Sequence, residues 1–220
     1  MHLDASRRVL GLLAALDPCV LLEPASVVAE AWAHVERIGG RARWQPERLL
    51  VTGAGPIGLL AALLGRQRGL ETHVLDRVTS GPKPRLVEAL GATHHSGAIE
   101  EVGLVDVLFA CTGAASLVLR ATRATRANGI VCLTGVSSGG RTIPVDAGAL
   151  NRDLVLENNL VFGSVNANRS HYEAAARALA SADPDWLDRL IMRRVPLERS
   201  AEALEPRPDD VKTVLTFIGE

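Results

Sequence analysis

Aromatic side chains make up only 3% of the 220 residues, so aliphatic side chains must fill any core, and stacking platforms for single-stranded nucleic acid are not expected. One-sided charge is missing as well. The 24 basic and 25 acidic residues leave a net charge of -1, which offers no electrostatic footprint for nucleic acid or for an anionic membrane. No stretch approaches the roughly 18 uninterrupted apolar residues of a membrane span. Cysteine is scarce: Cys19, Cys111 and Cys132 are odd in number and far apart, with no CxxC pair and no zinc-ligand spacing. They read as reduced thiols in a cytoplasmic protein. Arg7 and Arg8 precede a short apolar run over residues 9–16, but Asp4, Asp17 and Pro18 frame it and no small-residue cleavage site follows. An amphipathic helix, not a signal peptide, is the expectation there.

What the chain does have is 47% hydrophobic residues, enough for one sizeable domain or a domain and a half. Short apolar runs alternate with helical patterns. The order predicts a strand at 48–52, a helix at 57–68 that is apolar on almost every side, a strand at 72–76, a helix at 84–90 and a brief strand around Thr93. A strand at 105–110, a helix at 114–127, a strand at 130–135, a helix at 146–157 and a strand at 160–163 follow. Each right-handed crossover puts a helix on the sheet, so the fold class is α/β, a doubly wound parallel Rossmann sheet. After residue 166 the pattern changes to a helix at 170–180, a strand at 190–196, a short helix and a strand at 211–217. This implies a partial second unit, with boundaries at residues 1–23, 24–166 and 167–220.

The strand at 48–52 runs directly into Gly53-Ala54-Gly55-Pro56-Ile57-Gly58, a GxGxxG loop that opens a helix. That context points backbone N–H groups and the positive helix end at a pyrophosphate. Gly53 permits the tight turn, Gly55 lets a diphosphate approach the backbone, and Gly58 lets helix and strand pack closely. Asp76 stands 18 residues after Gly58, where a carboxylate accepts the ribose hydroxyls of NAD; the neighbouring Arg77 would suit the 2'-phosphate of NADP. Both cofactors therefore stay open. Thr112, Gly135, Val165 and Asn166 occupy strand ends on the same edge and join Gly53, Gly55, Pro56, Ile57, Gly58, Asp76 and Arg77 as cofactor-binding candidates. Asn168, ahead of the 170–180 helix, suits a helix cap.

Residues 22–28 (LEPASVV), GAGPIG at 53–58, LDR at 75–77, CTG at 111–113 and GSVNAN at 163–168 resemble the zinc-dependent medium-chain dehydrogenases, and within them the glucose 1-dehydrogenases. The similarity runs from about residue 20 to the C-terminus. It implies a nicotinamide-binding core, the return of the chain into a catalytic domain, and hydride transfer between an aldose C1 and the nicotinamide. In that family an N-terminal region supplies a zinc-binding cysteine and a glycine-histidine-glutamate motif. None of the six histidines of this chain is followed by glutamate, and only about 20 residues precede Glu23. By resemblance Glu23 stands near the zinc, yet one carboxylate does not make a catalytic zinc site, which needs about three protein ligands. No metal ligands and no catalytic residues are assigned.

The tyrosine-lysine chemistry of short-chain dehydrogenases is excluded, since Tyr172 is the single tyrosine and Ala176 follows it by four. Cys111 reads as a buried thiol. His94 and His95, adjacent on a strand, face opposite sides, so they do not ligate one metal together and read as structural or exposed. Two readings follow. One is an NAD(P)-dependent sugar or polyol dehydrogenase, incomplete as a catalyst alone. The other is a dinucleotide-binding module that self-associates or complements a separate zinc-bearing chain. Apolar residues at 190–195 and 211–218 would face such a partner, and Val9, Leu10, Leu12, Leu13 and Leu16 could cover part of them.

Overall fold

The computed structural model describes residues 17–140, 142–205, 207 and 209–217. The stripe of Val9, Leu10, Leu12, Leu13 and Leu16, and residues 141 and 218, lie outside the described residues.

A 3-10 turn, Asp17–Leu21, leads into α1 (Leu22–Gly39). Pro24 sits in its first turn, where no N–H is required, and Ala25, Val28, Trp32, Val35 and Gly39 recur at helical spacing on its buried side. The chain then alternates through β1 (Arg48–Thr52), α2 (Pro56–Gln67), β2 (Glu71–Leu75), α3 (Pro82–Ala89) and β3 (Thr93–His95). It continues through β4 (Val105–Ala110), α4 (Ala115–Ala121), β5 (Thr125–Leu133), α5 (Ala147–Leu156) and β6 (Leu160–Gly163). The six strands form one sheet in the order β3-β2-β1-β4-β5-β6, every pair parallel. This is the doubly wound order, whose switch point lies between β1 and β4.

Alternation along the strands sorts side chains into two cores. Leu49, Val51, Val107, Phe109, Ile130 and Cys132 pack with α1 and α2 on one face. Leu50, Leu108, Ala110 and Val131 pack with Ala121 and with Ile99 and Val102 of a 3-10 turn on the other. The first core extends into α6 (Arg169–Ala180) and α7 (Pro184–Leu190) through Ala175, Leu179, Trp186, Leu187 and Leu190. β7 (Ile191–Pro196) and β8 (Lys212–Thr216), with α8 (Ser200–Ala203) between them in sequence, form a separate two-stranded parallel sheet.

Four expectations shift. The helix predicted over 114–127 stops at Ala121, because the Thr122 hydroxyl donates back to the Leu119 carbonyl at 2.8 Å and buried Thr125 pairs with Val105. The strand predicted over 130–135 is then the second half of β5. Its ladder jumps from Val105↔Thr125 to Val107↔Ile130, with Asn128 left-handed at φ 62. The boundary placed at residue 23 falls inside α1, which runs unbroken through it. Leu190, expected to start a strand, ends α7.

Candidate functional site

β1 delivers the glycine loop to the carboxyl edge of the sheet. The Gly53 N–H donates to the Leu75 carbonyl at 2.7 Å, extending the β1–β2 ladder by one bond, and Gly53 then turns at φ 96, in the region where a side chain is strained. At Gly58 a Cβ would lie 1.8 Å from the Gly53 carbonyl oxygen. Only glycine lets α2 fold back so tightly on the strand. Gly55 caps α2 without a side-chain hydrogen bond, Pro56 opens the helix, and no acidic residue stands in its first turn. A Cβ at Gly55 would meet nothing within 4 Å. The loop therefore presents open space before a positive helix end, the geometry that accepts a phosphate.

Asp76 follows β2 directly. Its Oδ2 accepts from the Ala54 N–H at 2.7 Å and its Oδ1 from the Val78 N–H at 3.0 Å. One carboxylate thus ties the glycine loop to the end of β2, with lone pairs left on both oxygens for further donors. Arg77 is exposed and forms no ion pair with any described residue. Pro56 and Ile57 are half-buried at the helix start.

Across the switch point, two loops lock together through glycines. A Cβ at Gly135 would come within 2.5 Å of the Thr112 carbonyl oxygen, and one at Gly113 within 2.4 Å of the Val136 carbonyl oxygen. Gly135 and Thr134 both donate their N–H to the Ala110 carbonyl, at 2.9 and 3.0 Å. Thr112 is half-buried beside them. Past β6, Val165 is 70% exposed and Asn166 adopts φ 71, a left-handed conformation uncommon outside glycine. Asn168 caps α6: its Oδ1 accepts from the N–H groups of Ser170 and His171, and His171 Nδ1 accepts the Asn168 N–H at 3.2 Å. Every cofactor-binding candidate thus lies just past the end of a strand on the carboxyl edge.

Two residues on that edge escape a reading based on motifs. The hydroxyls of Thr52, the last residue of β1, and Ser164, just after β6, are buried without hydrogen-bond partners. A polar side chain closing an apolar strand is the sequence signal that could have flagged them.

Cys111 is not an activated nucleophile. Burial pushes its thiol up to about 12 despite the hydrogen bond that the Thr134 hydroxyl donates to its sulfur at 3.2 Å. Cys132 is pushed upward by burial as well. Glu23 is exposed in the first turn of α1, and no group of three or more His, Cys, Asp or Glu among the described residues could hold a metal ion. The described donor set does not fit a zinc ion.

A parallel 3-2-1-4-5-6 sheet with a glycine loop at its switch point and an acid after the second strand defines a dinucleotide-binding domain of the dehydrogenase type. Residues 16–217 match the family model described as Glucose dehydrogenase C-terminus. The chain is 41% identical over 211 residues to a glucose 1-dehydrogenase of Methanocella arvoryzae, covering 91% of this chain and 58% of that protein. It is 38% identical to glucose 1-dehydrogenase 1 of Caldivirga maquilingensis, covering 91% and 59%. Among solved structures, the Haloferax mediterranei glucose dehydrogenase in complex with NADP, zinc and gluconolactone superimposes with a TM-score of 0.84 at 28% identity, over 91% of this chain and 59% of that one. The chain belongs to the glucose dehydrogenase family of zinc-dependent medium-chain dehydrogenases, and it spans a little under 60% of the length of these relatives. Among the described residues, no helix is long and apolar enough to cross a membrane.

Proposed function

We propose that this chain is the coenzyme-binding part of an NAD(P)-dependent aldose dehydrogenase, and that it is incomplete as a catalyst by itself. The observation that carries this reading is the open, uncapped start of α2 behind Gly55, tied through Ala54 to the Asp76 carboxylate. Ile57 and Gly58 would offer main-chain N–H groups to the pyrophosphate, Asp76 would accept from the adenosine ribose, and Arg77 would meet a 2'-phosphate. Thr112, Gly135, Val165 and Asn166 would shape the nicotinamide end of the cleft. When bound, the nicotinamide supplies the hydride acceptor. Oxidation at an aldose C1 also needs a group to take the hydroxyl proton, and the family resemblance puts forward the exposed Glu23 for it. Metal ligands would come from outside the described residues.

The test is titration with NADH and NADPH followed by nicotinamide fluorescence, in the wild type and in Asp76→Ala. We expect saturable binding of both, with the substitution weakening NADH by about tenfold or more and NADPH less, because removing the carboxylate also removes its repulsion of a 2'-phosphate. Absence of binding by either nucleotide to folded protein would sink the proposal.

A second reading is a dinucleotide-holding module that pairs with itself or with a separate zinc-bearing chain. It is favoured by the exposed apolar side chains Val136, Val155, Leu156, Leu204 and Phe217. Glucose-dependent reduction of NADP by the chain alone, with zinc added, would count against it.

A further inference from the structure

The loop that follows β6, residues 164–168, carries Val165 and Asn166 past the carboxyl edge of the sheet and is held at two points. At its start the Ser164 N–H donates to the Leu133 carbonyl of β5 at 3.0 Å. At its end Asn168 caps α6, and the Asn168 N–H donates to His171 Nδ1 at 3.2 Å. Between these anchors no hydrogen bond to a described residue fixes the main chain of residues 165–167, although Asn166 holds its left-handed turn at φ 71. The shape of the loop therefore depends on its ends, and one bond at the second end is made by a titratable ring.

A ring nitrogen that accepts carries no proton, so neutral His171 has its hydrogen on Nε2. Across from the same Nδ1, on α1, Glu30 Oε1 stands 3.7 Å away. That separation is too long for a hydrogen bond and short enough for an ion pair. The Glu30 side chain is 18% exposed, and its Oε2 is buried with no hydrogen-bond partner. Its other near neighbour is His34, one turn along α1, whose Nε2 stands 3.9 Å from Oε1. An acid so placed is costly unless a positive charge meets it. On α6 the charges nearest in sequence to His171 are Arg169 and Glu173, which pair with each other at 3.1 Å. Glu30, with His34 beyond it, is thus what α1 sets against the ring.

A proton on Nδ1 changes both relations at once. The nitrogen no longer accepts from Asn168, two donors face each other, and the positive ring gains a carboxylate partner. Histidine makes this change between about pH 5 and 8.

We propose that His171 and Glu30 form a proton-operated latch on the 164–168 loop: the neutral ring holds the Asn168 N–H and keeps Val165 and Asn166 in place, and the protonated ring turns to Glu30 and releases that end. His171 is then a positioning residue that acts through Asn168 on the nicotinamide end of the cleft, a consequence that rests on the coenzyme-binding reading above. Acidification weakens the hold on the coenzyme.

The test uses the full chain labelled with nitrogen-15, compared at about pH 8 and about pH 6, as wild type, His171→Gln, His171→Ala and Glu30→Gln. NADH is the probe, because it has no 2'-phosphate to titrate. We expect the Asn168 amide resonance to move with pH in the wild type and to stay in place in His171→Gln, whose side-chain oxygen accepts the same N–H without titrating. By nicotinamide fluorescence, NADH should bind the wild type about fivefold more weakly at the lower pH, the worth of roughly one hydrogen bond. That fall should vanish in His171→Gln and shrink in Glu30→Gln, which removes the ionic partner of the protonated ring. His171→Ala, with no acceptor, should bind weakly at both pH values. Other acid-sensitive groups act alike in wild type and His171→Gln, so the difference between the two isolates the latch. A wild-type Asn168 amide that does not move overturns the latch without recourse to any variant. An NADH affinity with the same pH dependence in wild type and His171→Gln overturns it too, and leaves the coenzyme-binding reading intact. Folded protein that binds no NADH at either pH overturns both.

Discussion

Gly55 and Gly58 are two residues of one motif with opposite requirements. At Gly58 an added methyl would strike the Gly53 carbonyl at 1.8 Å, backbone against backbone, so neither side can give way cheaply. Gly58→Ala should destabilise the protein by about 1–3 kcal/mol and lose nucleotide binding with it. At Gly55 the methyl enters open space and φ is -84 with ψ -178, values open to alanine. Gly55→Ala should cost less than about 1 kcal/mol as a helix cap yet weaken NADPH by about tenfold or more, because the methyl stands where the diphosphate would lie. Urea melts paired with NADPH fluorescence titrations separate the two effects; equal losses of stability in both variants would contradict this division of roles. The glycine loop was legible in the sequence because its requirement is local: a turn, a helix start and a close approach, all within six residues. Asp76 was legible as an acid at the right distance, but not its bonds to the Ala54 and Val78 N–H groups, which exist only after β1 and β2 pair. The unpaired hydroxyls of Thr52 and Ser164 were hidden for the same reason.

Among the elements, β1, β2 and β3 share a polar cluster that the nucleotide site does not use. Arg48 Nη2 stands 2.9 Å from His73 Nε2, and His73 Nδ1 stands 3.0 Å from His95 Nε2. The same His73 Nε2 also stands 3.0 Å from Glu71 Oε1, so it meets a guanidinium donor and a carboxylate acceptor at once. Burial, then Arg48, holds His73 below its ordinary 6.5 against the opposing pull of Glu71. Burial, then His73, His94 and Arg48, holds His95 down against Glu101. Both folded values lie below the unfolded one, so the stability they contribute is present above about pH 6.5 and is lost as pH falls through the folded values. The melting temperature should therefore drop on acidification from about pH 7 to about pH 5, and less so in His73→Gln, whose amide offers both an acceptor and a donor. An identical acid loss in wild type and variant would remove the cluster as its source. The sequence did place His94 and His95 on opposite faces of a strand, since period two is a local property. It did not announce the His73–His95 contact, which needs the β2–β3 register. The end of α4 at Ala121 was missed because Thr125 is drawn into the sheet by Val105, a tertiary demand that overrides the helical pattern running through residue 127. The spacing of Val28, Trp32, Val35 and Gly39 is the local signal that marks α1.

For the whole molecule, the two cores are well filled while one set of apolar side chains is left outside. α5 contributes no buried residue, and Val155 and Leu156 at its end are 67% and 73% exposed. Leu204 and Phe217, around the small β7–β8 sheet, are 84% and 77% exposed. Single exposed apolar side chains are ordinary, but Leu204 and Phe217 stand on the C-terminal elements that the sequence assigned to a second, partial unit. They also accompany a chain that covers under 60% of its relatives' length. Covering such side chains removes apolar area from water at roughly 25 cal/mol per Å², which favours association once enough of them meet one surface. The isolated chain should therefore bind an apolar-surface dye and show concentration-dependent association in sedimentation velocity. Replacing Leu204 and Phe217 with serine should reduce both without lowering the melting temperature, since neither side chain is buried in the described structure. NADPH affinity should be unchanged in that variant, because the glycine loop and Asp76 lie on a different sheet. A dye-negative chain that sediments as a monomer at all concentrations would mean that these side chains are simply solvated, and the reading of the chain as a part that needs a partner would lose its support.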